Sequence, residues 1–135
     1  MSRLTSFTFG TRLAGTVDEE RPRVEAALTA EGFGVLTEID VQATMKAKLG
    51  VERPPMVILG ACNPALANAA LDADPSVGAL LPCNVVLRQA DGVTLLEVID
   101  PLAMLGVVER AGVEVVAKDA RARLERVVAS LEQAS

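Results

Sequence analysis

Cys62 and Cys83 are the two cysteines of the chain, and each adjoins an asparagine and a proline, in Cys62-Asn63-Pro64 and Pro82-Cys83-Asn84. Thiols in such a setting have three chemistries open to them. They can act as thiolates, in a reactive thiol or a reversible dithiol/disulfide pair, as intracellular disulfides tend to do. They can bind a soft ion such as Cu(I). Or they can serve as small apolar residues, for free cysteine is among the most buried residue types. The absence of a CxxC motif weighs against the redox reading. Zinc would require four ligands, and there is no histidine to complete such a set, so neither a metal nor a cofactor is expected.

Asn63 suits a helix N-cap and Pro64 a first helical position. The amides and dipole of that helix start would lower a nearby thiol pKa or hold an anion. Lys46 and Lys48, with Arg53 close by in sequence, offer a basic edge that could complete charge neutralisation. The plain alternative for these cations is a solvated helix face whose aliphatic stems cover core. Asn63 and Asn84 have plain alternatives too, as a helix cap and a strand-end turn residue.

Composition narrows the function classes. Without histidine, the commonest general base and the Ser-His-Asp triad are excluded. With no Trp or Tyr and only three Phe, aromatic stacking platforms and cages are not expected. A net charge of −5 without a long basic cluster argues against nucleic acid as a partner. No apolar run approaches the ~20 residues that span a membrane. The opening MSRLTSFTFGTRLAG lacks the continuous apolar segment of a secretory signal, which points to the cytoplasm. A chain of 135 residues fits one domain, residues 1–135.

The elements that would position the cysteines follow from periodicity. Residues 4–12 alternate as a first strand. DEERPRVEAALTAEG reads as a helix capped by Thr16 or Asp18, starting near residue 19 or later so that Pro22 falls in its first turn, and ended by Gly32. Gly34–Ile39 forms a second strand. Asp40 caps a short helix with Val41, Met45, Lys48 and Leu49 on one face, stopped by Gly50. Pro54 and Pro55 deliver MVILGAC as a buried third strand, and CNVVLRQ begins a fourth.

Asp91-Gly92 is a two-residue hairpin signal that pairs Ala90 with Val93, Leu87 with Leu96 and Val85 with Val98. Cys83, Val85, Leu87, Leu96 and Val98 then share one face. The other face carries Val86, Arg88, Leu95 and Glu97, a mixed surface that suggests partial cover by another element or a second subunit. Ala120, Leu124, Val127, Val128 and Leu131 line one stripe of a closing amphipathic helix.

GACNPALANAAL followed by ALLPCNVVLRQADG, with EGFGVLTEIDVQATMKAKLG upstream, resembles the signature of the domain of unknown function 302 family of bacteria and archaea over residues 3 to about 101. The resemblance implies an α+β, two-layer fold: an antiparallel sheet with helices on one face, similar to a TATA-binding-protein-like β-α-β(4)-α unit. It also implies a homodimer, and it brings no established activity. On this fold strands three and four are antiparallel neighbours, which brings Cys62 and Cys83 to one end of the sheet.

Two functions from different classes follow. One is a protein that binds a small anionic ligand, or works through its thiol pair, at Cys62, Asn63, Pro64, Cys83 and Asn84 with Lys46 or Lys48; no reaction is specified. The other is a non-catalytic homodimeric interaction or structural module in which the cysteines only pack and the mixed outer sheet face forms the subunit contact.

Overall fold

The computed structural model describes the backbone of residues 2–134 and the side chains of residues 2–132. A sheet in the order β1-β2-β6-β5-β4-β3, antiparallel throughout, is backed by helices. Its strands are β1 (Ser2–Arg3), β2 (Thr8–Leu13), β3 (Gly34–Asp40), β4 (Met56–Cys62), β5 (Cys83–Ala90) and β6 (Val93–Ile99). The helices are α1 (Val17–Ala30), α2 (Val41–Leu49), α3 (Pro64–Ala73), α4 (Pro101–Leu105) and α5 (Ala111–Ala134), with a 3₁₀ turn at Pro75–Leu80. The two-layer α+β expectation holds, with α2, α3 and α4 set into the connections.

The first strand is shorter than periodicity suggests. Thr5 Oγ1 accepts from the amides of Phe7 and Thr8, a threonine turn that folds residues 4–7 out of the ladder. Phe9 is therefore fully buried while Phe7 is 53% exposed. Helix α1 begins earlier than residue 19. Thr16 and Glu19 form a reciprocal capping box that fixes the start at Val17, and Pro22 lies inside the helix, beyond the first turn. Gly32, at φ +86°, ends the helix as expected.

The Asp91-Gly92 turn sets the predicted register, pairing Ala90 with Val93, Leu87 with Leu96 and Val85 with Val98. That register sends Val85, Leu87, Leu96 and Val98 toward the helices, where they pack with Phe9, Val57, Leu59, Val24, Leu28, Leu124, Val127, Val128 and Leu131. Helix α5 is longer than this core. Its first turns, through Val113, Val116 and Ala117, build a second cluster with Ala70, Val77 and Leu105 of α3, the 3₁₀ turn and α4. The stripe from Ala120 onward faces the sheet because the 3.6-residue period keeps Leu124, Val127, Val128 and Leu131 on one side.

Candidate functional site

The cysteines lie where these two clusters meet. Cys62 closes β4 and Cys83 opens β5, antiparallel neighbours, as the family resemblance implies. Ala61, however, is the residue directly opposite Cys83. Cys62 thus falls one rung further along, and strand alternation directs its side chain and that of Cys83 to opposite faces. Both remain free thiols. Both border one apolar cavity of about 30 Å³, shared with Phe33, Leu66, Pro82 and Val116. That volume holds a water molecule or two and falls an order of magnitude short of the ~300 Å³ at which small-molecule sites begin.

Cys83 is 7% exposed. Burial, and secondarily the neighbouring Cys62, pushes its thiol pKa from 9.0 up to about 11. A thiolate nucleophile needs the reverse shift, produced by cations, a helix start or a metal. The arrangement of Cys83 is that of a packed thiol: on the helix side of the sheet, in line with Val85 and Leu87.

Asn63 has a defined structural task. Its side-chain oxygen accepts from the Leu66 amide at 3.2 Å, capping α3, and its Nδ2 donates to the Glu31 carbonyl at 3.4 Å. Arg123 Nη1, from α5, donates to that same carbonyl at 3.2 Å. The Glu31 side chain accepts from Arg126 at 3.0 Å, a contact that holds its carboxyl below the usual range. The end of α1, the start of α3 and the middle of α5 are thereby fastened at one point. A Cβ on Gly32 would stand 2.9 Å from Asn63 Nδ2, so glycine is needed there for space as well as for its φ. Pro64 occupies the first position of α3, where it contributes no N–H. With the Leu66 amide capped and the Ala67 amide bonded to the Asn63 carbonyl, little of this helix start remains to receive an anion.

Asn63→Asp separates the cap from the clamp. Aspartate caps a helix as well as asparagine does but sets a carboxylate against the Glu31 carbonyl, so a loss of about 1–2 kcal/mol in urea unfolding is expected. Wild-type stability in this variant would show that the Glu31 contact contributes nothing.

The other expected site residues are not gathered here. Asn84 is exposed and sits opposite Gly60, on the face away from the helices. Gly60 has no room for a Cβ between Thr37 and Pro82, which explains a glycine in this central strand. Lys46 and Lys48 belong to α2, which follows Asp40, and Asp40 pairs with Val57 near the start of β4. The six residue steps from Met56 to Cys62 span ~20 Å, so α2 enters at the opposite end of β4 from the thiols. Lys46 pairs with Glu52 at 3.3 Å instead.

Asp100, the residue between β6 and α4, stands outside the expected site. Its side chain is 4% exposed, accepts from Arg3 Nη2 at 2.6 Å and lies 3.5 Å from Arg121 Nη1. It also caps α4 through the Leu102 amide at 2.9 Å. The Asp-Pro pair was the available signal, since aspartate before a proline that opens a helix is an N-cap pattern. Among the described residues no cluster of three or more Cys, Asp or Glu is arranged to hold a metal ion. No helix among them is long and apolar enough to cross a membrane.

No curated protein matches the chain. A crystal structure of an uncharacterized conserved DUF302 protein from Bacillus stearothermophilus is similar at a TM-score of 0.86 and 31% identity, covering 93% of this chain and 98% of that one. The family described as domain of unknown function DUF302 matches residues 9–131, so the match extends past residue 101, where the resemblance in the sequence ended, and takes in most of α5. By that match and that structural likeness, the chain belongs to the DUF302 family.

Proposed function

We propose that this DUF302 chain is a non-catalytic homodimeric interaction module in which Cys62 and Cys83 pack rather than react. The observation that carries this reading is the closed setting of Cys83, a protonated thiol in an apolar seam with about 30 Å³ of free space. Asn63 supports it, because both ends of its amide are engaged in joining helices. The placement of Lys46 and Lys48, a strand length from the thiols, deprives an anion at Cys62 of its expected counter-charge. Self-association draws support from the apolar side chains left exposed on β3 and α2, Leu36 and Leu49 among them.

The test is equilibrium sedimentation of the full chain together with native mass spectrometry. The expected species has twice the 14.1 kDa chain mass and carries no small molecule. A monomer throughout the micromolar range would overturn the homodimer. A co-purifying anion that is lost in Cys62→Ser or Cys83→Ser would restore the ligand-binding reading.

A further inference from the structure

We propose that two copies of this chain join along the outer edge of β3, extending the sheet from one protomer into the next, with α2 and the loop after it flanking the contact. The proposal rests on the homodimer reading above and assigns the interface to this edge in place of the outer sheet face.

The two edges of the sheet differ in how they end. On one side stands β1, two residues long, and an edge that short offers little to pair with. On the other stands β3, seven residues long and bonded to β4 on one side only. Its outer N–H and C=O groups form a template for a further strand. A register shift between Val35 and Thr37 leaves Leu36 without a partner on β4, and that side chain is 68% exposed. Leu49 at the end of α2 is 70% exposed and Val51 just beyond is 44% exposed. Helical spacing places Leu49 with Val41 and Met45, yet only Val41 is buried. The apolar stripe of α2 therefore runs off its own sheet.

The outer face is a weaker candidate because it has already satisfied itself. Leu95 is 7% exposed, flanked on its rung by Arg12 and Arg88, whose aliphatic stems can cover it. Glu97 accepts from Arg88 at 3.2 Å and from Thr8 Oγ1 at 2.8 Å.

Charge at the β3 edge favours a second copy as the occupant. Arg21 is shared between Glu25 and Glu38, which leaves one carboxylate in excess beside β3, with Asp40 at the strand's end. Lys48 and Arg53, on α2 and the loop after it, have no ion pair among the described residues. A contact about a two-fold axis sets the same patch against itself. A patch holding both an unbalanced acidic strand and unbalanced cations is complementary to its own copy.

The experiment compares the dimer dissociation constants of the wild type, Leu36→Asp, Ile58→Asp and Lys48→Glu by sedimentation, with thermal unfolding confirming that each variant folds. Leu36→Asp is expected to weaken the dimer at least ~30-fold, the scale of a central interface residue, and Lys48→Glu a few-fold, with the difference shrinking at high salt. Ile58→Asp should leave the dimer intact. Hydrogen exchange supplies a second readout: outward β3 amides should be protected at high protein concentration and lose protection on dilution. A dimer that survives Leu36→Asp and dissociates with Ile58→Asp overturns this interface while leaving the homodimer standing. A wild type that never dimerises overturns both.

Discussion

Cys83 in the native protein is expected to react with a thiol reagent at pH 8 about a hundredfold more slowly than in the unfolded chain. The figure follows from the rise in its pKa from 9.0 to about 11, since two units reduce the thiolate fraction ~100-fold and the thiolate is the reacting form. Restricted access at 7% exposure lowers the rate further. The same shift makes stability depend on alkaline pH. The folded pKa lies above the unfolded one, so the stabilising contribution of the neutral thiol is complete below pH 9.0, erodes as the pH rises toward about 11, and is absent above it. The loss across that window is about 3 kcal/mol. With no tyrosine in the chain, phenol ionisation adds nothing to the same range, and Cys83→Ala should flatten the slope. A native thiol as reactive as the unfolded one, together with a flat stability profile from pH 9 to 11, would contradict the packed setting and revive thiol chemistry at this position.

Asp100→Ala is expected to cost about 4 kcal/mol in urea unfolding. The carboxylate is 4% exposed and meets Arg3 from β1 and Arg121 from α5, and breaking a buried pair by removing one partner costs ~3–5 kcal/mol. The lower end applies because Arg3 and Arg121, at 43% and 29% exposure, regain water when the carboxylate goes. Loss of the cap on α4 adds to the penalty, typically by ~1 kcal/mol. Asp100→Asn keeps an oxygen for the Leu102 amide and removes only the charge, so it should recover the capping part alone. Equal stability of the alanine variant and the wild type would mean that the arginines and the cap are dispensable. Because Asp100 joins both termini of the fold to β6, its loss should also expose the amides of β1 to exchange before those of β5.

Much of this architecture was legible in local chemistry. Asp91-Gly92 alone set the register of the central hairpin, because a two-residue loop leaves one way to pair the flanking strands. Asn63-Pro64 marked the start of α3 and Gly32 the end of α1 for equally local reasons, a side-chain cap and a positive φ. Pro22 does not mark the first turn of α1, because the Thr16 and Glu19 capping box sets the boundary at Val17. Alternation continues through residues 4–7 even though Thr5 turns the backbone there, so the first strand is shorter than its period suggests.

Sequence by itself determined the hairpin register, the caps at Asn63 and Gly32 and the family resemblance, since these depend on neighbours in the chain and on spacing. Tertiary structure alone decided the character of the candidate site. Whether a thiol is acidic or inert depends on how much low-dielectric surface surrounds it, and Val116, Phe33 and Leu66 line one cavity with Cys83 from three distant segments. Lys46 and Lys48 look near Cys62 in sequence, but an antiparallel strand carries the chain away from them to the far end of the sheet. Asp100 carried only a capping signal until the fold brought Arg3 and Arg121 to it from 97 residues upstream and from the closing helix. Long-range contacts of this kind leave no periodicity behind, because the partners are chosen by the way strands and helices stack and not by their order in the chain.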